Sequence, residues 1–128
     1  MKILLDTCTL LWIALDSDEL SSSARTAFRD PANEVFLSAA SAWEIGIKNT
    51  LGRLPLPEEP RIFVPELRKT YHIEPLALDE ESCFQAARLP PIHQDPFDRA
   101  LVGQAINHGM TILTPDKLIS DYPVRTFW

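Results

Sequence analysis

The stretch HQDPFDRA, residues 93–100, sets two aspartates around a proline and a phenylalanine. An aspartate followed by proline is a typical helix start, because the aspartate caps free N–H groups and proline suits the first helical position. The pattern predicts a helix that begins at Pro96, with Asp95 as its N-cap and Asp98 in its first turn. An acid in the first turn also complements the positive end of the helix dipole.

Outward from this stretch the chain alternates between helical patterns and short apolar runs. The helix after Asp95 is predicted to reach His108, where Gly109 ends it, before an apolar strand at residues 110–113. Other strands are predicted at residues 3–5, 34–37, 73–78 and, at an edge, 124–127, and other helices at residues 9–15, 21–29, 38–51, 63–71 and 79–89. This alternation indicates an α/β fold with a parallel sheet of four to five strands that helices cover on both faces.

The composition is that of an ordinary globular chain, since 45% of its 128 residues are hydrophobic and 23% are charged. One domain over residues 1–128 is expected. The formal net charge of −6 argues against a protein that coats nucleic acid by bulk electrostatics, although an enzyme that holds a few phosphates stays open. Asp6 interrupts the first apolar run, so neither a secretory signal nor a membrane span is expected. Cys8 and Cys83 are expected to be buried free thiols, as in a cytoplasmic protein.

Acidic side chains recur near the carboxyl ends of the predicted strands, where ligands bind in parallel α/β sheets. Asp6 follows the first strand, Glu44 lies early in the helix after the second, and Asp116 stands three residues beyond the fourth. Asp98 lies in the helix that leads into the fourth strand. Because the strand ends meet at one edge of the sheet, three of the four acids are expected to lie there. Asp98 borders the buried face of its helix and is expected to face the other three.

Each acid also has a purely structural explanation. Asp6 would cap the following helix, and Glu44 would pair with Lys48 one turn later. Asp116 would lie in the first turn of a helix that Thr114 caps. Half-buried carboxylates that lie together repel one another, however, and need protons, arginines or a metal ion. A pocket of carboxylates without cysteine or histidine ligands fits Mg²⁺ or Mn²⁺ and fits zinc poorly.

Other carboxylate-rich α/β sites do not match the sequence. A haloacid-dehalogenase-like phosphatase needs a second aspartate two residues after the first, and Cys8 occupies that position. A receiver-type phospho-acceptor needs an acid that closes the third strand, where Leu76 to Leu78 stand with Asp79 just after. No phosphate-binding glycine loop and no GxSxG nucleophile elbow is present.

Five segments, taken in order, resemble PIN-domain ribonucleases of the VapC toxin type over essentially the whole chain. The segments are LLDTCTLLW (4–12), SAASAWEIGIK (38–48), LGRLPLP (51–57), HQDPFDRALVGQA (93–105) and ILTPD (112–116). The resemblance implies a three-layer α/β/α fold and an RNA-cleaving site that binds Mg²⁺, or Mn²⁺, through Asp6, Glu44, Asp98 and Asp116. It also implies a homodimer and a small antitoxin partner that blocks the site.

The resemblance also matches residues around the four acids. Thr7 and Thr114 stand at hydroxyl positions beside them, and Asp95 stands at a motif position outside the quartet. Candidates for holding RNA phosphates are Lys48, Arg53 and Arg99. His93 is interpreted as a loop residue beside Gln94 and Asp95, with no part in the reaction.

The sequence therefore predicts a Mg²⁺-dependent endoribonuclease, the toxin of a type II toxin–antitoxin module. Two alternatives stay open. In one, the acids only cap helices and the apolar helices bind a protein partner without catalysis. In the other, the same site acts on structured DNA.

Overall fold

A computed structural model describes all residues from Met1 to Trp128, and a five-stranded sheet forms its centre. The strands are β1 (Lys2–Leu5), β2 (Glu34–Ser38), β3 (Glu74–Leu76), β4 (Thr111–Leu113) and β5 (Arg125–Phe127). They lie in the order β3-β2-β1-β4-β5, and every neighbouring pair is parallel. The predicted α/β fold with a parallel sheet of four to five strands is confirmed.

Seven helices connect and cover the strands. They are α1 (Thr7–Leu15), α2 (Ser22–Arg29), α3 (Ala39–Thr50), α4 (Pro60–Tyr71), α5 (Glu80–Ala87), α6 (Pro96–His108) and α7 (Lys117–Ser120). None of them combines the length and the hydrophobicity that a bilayer span requires.

Alternating side chains of β1 divide the core into two parts. Ile3 and Leu5 pack with apolar residues of α1 to α4 on one face of the sheet. Leu4 points to the other face and packs with apolar residues of α6 and α7. The predicted three-layer α/β/α arrangement follows, with α5 packed along α6 on the second face.

The sheet order creates a switch point in the topology at its centre. From β1 the chain moves outward through β2 to β3, and β4 and β5 then extend the sheet on the opposite side of β1. Ligands of open parallel sheets bind in the crevice at the carboxyl ends of strands on either side of such a point. The carboxyl ends of β1 and β4 flank this crevice.

Several element boundaries differ from the sequence prediction, and those of one helix and one strand illustrate this. The helix expected at residues 63–71 begins earlier, at Pro60, so Pro65 lies inside the helix and not near its first turn. Pro60 has the fixed backbone angle that suits the first helical position, and Glu59 precedes it as the N-cap residue. The strand expected at residues 73–78 is shorter and covers Glu74–Leu76.

The prediction that both cysteines are buried is wrong, since Cys8 and Cys83 are exposed free thiols. In α1 the buried face carries Thr7, Leu10 and Ile13, and Cys8 lies off that face. In α5 the buried residue is Ser82, one position before Cys83.

Candidate metal and catalytic site

Asp6 lies at the carboxyl end of β1 and is only 5% exposed. Its Oδ1 accepts the backbone N–H of Thr9 at 2.7 Å, so Asp6 caps α1. Its Oδ2 accepts the hydroxyl of Thr114, which directly follows β4. The two central strands are thereby joined through one carboxylate. Burial raises the pKa of Asp6, although the hydrogen bonds from Thr114 and Thr9 act in the opposite direction.

Glu44 reaches the same crevice from α3 and is 3% exposed. Its Oε1 accepts the hydroxyl of Thr7 at 2.5 Å, and its Oε2 accepts Nζ of Lys48 at 2.6 Å. The pair with Lys48 that was considered as a structural explanation of Glu44 is therefore present. Lys48 is the one lysine or arginine that forms an ion pair with any of the four acids.

Asp98 occupies the first turn of α6, as expected, behind Asp95 and Pro96. The cap is made by Asp95, whose Oδ1 accepts the N–H of Phe97 at 2.9 Å. The ring of Phe97 meets that of Trp43 edge to face, with centroids 5.2 Å apart. Because Trp43 precedes Glu44, this contact links the helix turns that carry two of the acids.

Asp98 is half-buried and lies within reach of the charges of the other three acids. Burial raises the pKa of Asp98 to about 7, and four negative charges contribute to the increase, those of Asp95, Glu44, Asp6 and Asp116. The same surroundings act on Cys8, since partial burial of this residue beside the crevice and then the charge of Asp6 raise the pKa of its thiol to about 11. Cys8 therefore stays a neutral thiol near pH 7 and is a poor nucleophile or metal ligand.

Asp116 is placed differently from the prediction. It is the N-cap of α7, where its Oδ1 accepts the N–H of Leu118 at 2.9 Å, and Thr114 is not the cap. The Thr114 hydroxyl donates to Asp6 and accepts the N–H of Asp116 at 3.0 Å. The helix begins beyond Pro115 because Asp116 has an extended backbone conformation.

His93 is the residue whose place the sequence did not reveal. Its Nε2 lies 3.0 Å from Oδ2 of Asp98 and 3.6 Å from Oδ2 of Asp116. It also contacts Asp95, as expected, because its Nδ1 accepts that residue's N–H at 3.1 Å. The three groups His93, Asp98 and Asp116 have the spacing of metal ligands. The only sequence signal was the position of His93 inside the HQDPFDRA segment.

Two of the candidates for holding RNA are already engaged within the chain. The guanidinium of Arg99 donates to four backbone carbonyls and to the hydroxyl of Tyr122, and the carbonyls belong to Ala86, Leu89, Pro90 and His93. Lys48 pairs with Glu44, although 46% of its side chain is exposed. Arg53 is exposed and forms no ion pair.

The donor set of the crevice suits a hard divalent cation. Asp6, Glu44, Asp98 and Asp116 supply only oxygen atoms, and burial together with neighbouring negative charge raises the pKa values of Asp6 and Asp98. Oxygen ligands of this kind favour Mg²⁺ or Mn²⁺ over zinc.

A sequence model of the PIN domain matches residues 3–124 of the chain. The chain belongs to the PIN-domain family. Among characterised proteins, this PIN domain is similar to ribonuclease VapC16 of Mycobacterium tuberculosis (strain ATCC 25618 / H37Rv), with 41% identity over 58 residues. These residues make up 45% of this chain, and the chain spans only 41% of the length of that relative.

Solved structures share the fold over almost the full length of the PIN domain. The VapBC2 complex from Rickettsia felis, bound to a DNA fragment from its promoter, contains a chain that matches with a TM-score of 0.73 at 14% identity, covering 100% of this chain and 99% of that one. For VapBC-1 from nontypeable Haemophilus influenzae the TM-score is 0.64 at 14% identity, and the match covers 99% of this chain and 97% of that one. For FitAcB from Neisseria gonorrhoeae the TM-score is 0.60 at 21% identity, and the match covers 98% of this chain and 96% of that one. At these identities the likeness establishes the fold.

Proposed function

We propose that this PIN domain is a Mg²⁺-dependent endoribonuclease and the toxin component of a type II toxin–antitoxin module. The observation that carries the proposal is the convergence of four carboxylates at the switch point of the sheet. Burial, and then neighbouring charges that include those of Glu44, Asp6 and Asp116, raise the pKa of Asp98 to about 7. The partial match to a protein named ribonuclease VapC16 supports RNA as the substrate.

Asp6 and Asp98 would hold the principal Mg²⁺, which Mn²⁺ can replace. Glu44 and Asp116 would hold its waters or a second ion. A bound divalent cation supplies Lewis-acid chemistry, because it lowers the pKa of water and offsets negative charge on a phosphodiester during hydrolysis.

The surrounding residues hold the carboxylates in place before substrate arrives. Thr114 and the N–H of Thr9 each bind one oxygen of Asp6. Thr7 and Lys48 likewise each bind one oxygen of Glu44. Such preorganisation matters because small displacements of a catalytic group cost large factors in rate.

Partner binding is proposed from the relatives and from exposed apolar side chains. The similar solved structures carry the names VapBC and FitAcB, and one of them includes promoter DNA. Leu15 at the end of α1 is 76% exposed and Trp43 on α3 is 62% exposed. We propose that such surfaces serve a homodimer and a small antitoxin of this chain, acting in the cytoplasm. Size-exclusion chromatography of the purified chain tests the dimer directly.

The test of the activity compares Asp98→Asn with the unchanged chain on a single-stranded RNA and on a DNA of the same sequence. Asparagine keeps the shape of the side chain and removes its charge. We expect cleavage of RNA in Mg²⁺, no cleavage in EDTA, and a decrease of roughly 100-fold in the variant, which corresponds to about 2.7 kcal/mol of lost transition-state stabilisation. Asp18→Asn changes an exposed acid in the segment after α1 and serves as the matched control.

Each alternative has its own outcome in this experiment. Equal cleavage of DNA and RNA would favour a nuclease without preference for RNA. Absence of cleavage, together with a melting temperature that Mg²⁺ leaves unchanged, would favour a non-catalytic protein-binding module. Full activity of Asp98→Asn would contradict the assignment of the site.

A further inference from the structure

Trp43 is a large aromatic side chain that stays exposed beside the four acids. It directly precedes Glu44 on α3 and is 62% exposed. The other exposed aromatic side chains are Tyr71, Phe84 and Phe127, and none of them is adjacent in sequence to one of the four acids. Trp43 is therefore the one exposed ring that the chain ties directly to the proposed site.

A neighbouring ring holds the indole in a defined orientation. The rings of Trp43 and Phe97 meet edge to face, with centroids 5.2 Å apart and an angle of 84° between their planes. Phe97 directly precedes Asp98, so the contact lies where the helix turns that carry Glu44 and Asp98 come together. A side chain that is already fixed in this way loses less conformational entropy when it binds a ligand.

The surface of α3 beside the indole is open and carries no charge. A groove there is lined by Trp43, Gly46, Ile47, Thr50 and Leu51. A Cβ atom added at Gly46 would meet nothing within 4 Å, so glycine leaves space next to the helix at this position. Exposed apolar patches of this kind mark binding surfaces. The lining suits a flat, uncharged group and offers no cation to a phosphate.

The shortage of free cations near the acids indicates which part of an RNA this surface contacts. Lys48 pairs with Glu44 at 2.6 Å, and the Arg99 guanidinium donates to backbone carbonyls and to Tyr122. An RNA strand at the acids therefore gains few phosphate contacts, in a chain whose net charge is −6. Stacking of a base on an aromatic ring needs no positive charge and strengthens binding by about 5- to 150-fold per base.

We infer that Trp43 is an RNA-binding residue of the proposed nuclease, whose indole stacks on a nucleobase next to the phosphodiester held at the four acids. The inference rests on the proposed metal-dependent activity. Bases inside a duplex are stacked on one another, so the indole accepts an unpaired base. An antitoxin that blocks the site would cover the same indole, and it and the RNA would exclude each other.

Two labelled probes measure the contribution of the bases by fluorescence anisotropy in the Asp98→Asn background with Mg²⁺. One is a single-stranded RNA of mixed sequence, and the other is an abasic ribose-phosphate oligomer of the same length, which carries the same phosphates. We expect Trp43→Ala to weaken binding of the RNA by about 5- to 150-fold and binding of the abasic oligomer by less than about 2-fold. Trp43→Phe keeps an aromatic face and should recover most of the loss. Phe84→Ala, which removes an exposed ring on α5, is the matched control and should leave both affinities unchanged.

A titration with Mn²⁺ separates stacking from a structural effect that passes through Phe97. With Asp98 intact, we expect Trp43→Ala to bind Mn²⁺ with the affinity of the unchanged chain. Loss of Mn²⁺ affinity together with equal weakening of both probes would make Trp43 a structural support of Asp98 and overturn the inference. Melting curves confirm that each variant is folded at the assay temperature.

The outcomes also separate this inference from the proposed function. If the unchanged chain cleaves RNA in Mg²⁺ but Trp43→Ala keeps the full preference for RNA over the abasic oligomer, only the inference is overturned. If that variant also elutes differently in size-exclusion chromatography, the indole belongs to a protein interface instead. If the unchanged chain neither binds nor cleaves RNA, the proposed function and the inference are both overturned.

Discussion

At the scale of single residues, the two aspartates of HQDPFDRA have different roles. Asp95 uses its Oδ1 on the N–H of Phe97 and so starts α6. Asp98 caps nothing, and its carboxylate meets His93 in the crevice. Helix capping by one acid thus places the other at the site, where burial and neighbouring charges raise its pKa to about 7.

This pKa predicts how stability depends on pH in the metal-free protein. The unfolded chain has the ordinary pKa of 3.8, so between about pH 4 and pH 7 the folded state keeps a proton that the unfolded state has released. The free energy of unfolding must therefore fall as pH rises through this range. We expect Asp98→Asn to weaken this dependence, leaving the part that comes from the raised pKa of Asp6, and to be more stable than the unchanged chain at pH 8 by about 1–3 kcal/mol.

Urea unfolding in EDTA at pH 5 and pH 8 measures this effect. Asp18→Asn should keep the pH dependence of the unchanged chain. Mg²⁺ should restore stability to the unchanged chain at pH 8, because it supplies the missing counter-charge. An Asp98→Asn variant that loses as much stability between the two pH values as the unchanged chain would show that the pH dependence comes from another group.

The sequence was sufficient to select the four acids as candidates, because Asp6, Asp98 and Asp116 follow a strand or start a helix. Glu44 lies within the helix that follows β2. The sequence was insufficient for His93, since no local pattern shows that a loop folds back from residue 93 to reach both Asp98 and Asp116. It was also insufficient for Gln104. That buried side chain accepts from Ser38 at 2.5 Å and donates to the Ala77 carbonyl at 3.1 Å, which ties α6 to the ends of β2 and β3.

At the scale of elements, the support of α6 depends on a close approach to α5. A Cβ atom added at Gly103 would lie 2.5 Å from the Ser82 carbonyl oxygen and 2.9 Å from the Ala86 nitrogen. Both contacts are with backbone, so the helices would have to separate. We expect Gly103→Ala to lower the free energy of unfolding by about 1–3 kcal/mol, as measured by urea denaturation.

The matched control is Gly46→Ala in α3, where an added Cβ meets nothing within 4 Å. Alanine is the better helix former, so this variant should be unchanged or more stable by up to about 1 kcal/mol. If both variants behaved alike, the close contact between α5 and α6 would not be the reason for glycine at position 103.

Element boundaries were predicted well where both ends carry strong local signals. In α6, Asp95 and Pro96 start the helix and Gly109 ends it with a left-handed backbone. They were predicted poorly where signals overlap, as in α4, where Pro60 and Pro65 both suit a helix start and the helix begins at the earlier proline. At α7, the engagement of Thr114 with Asp6 moved the cap to Asp116.

At the scale of the whole molecule, a net charge of −6 must be reconciled with binding of RNA. Few cationic side chains near the crevice are free to contact a phosphate. Lys48 is about half exposed, although it pairs with Glu44. If Lys48 contacts a phosphate, Lys48→Ala should reduce the salt dependence of RNA binding by about 0.7 in the log–log slope, the value for one phosphate of a single strand.

Filter binding in the Asp98→Asn background measures this slope without cleavage of the RNA. Lys69→Ala, an exposed lysine on α4, is the control and should leave the slope unchanged. An unchanged slope for Lys48→Ala would mean that Lys48 pairs with Glu44 and contacts no phosphate. Arg53 would then be the remaining candidate for phosphate contact.

The central claim is that four carboxylates at the switch point of the sheet form a divalent-cation site, and titration calorimetry with Mn²⁺ tests it most directly. The account predicts saturable binding to the unchanged chain, with an affinity reduced at least about 10-fold in Asp6→Asn and in Asp98→Asn and unaffected in Asp18→Asn. Binding of equal affinity in all four proteins, or no saturable binding to the unchanged chain, would contradict it.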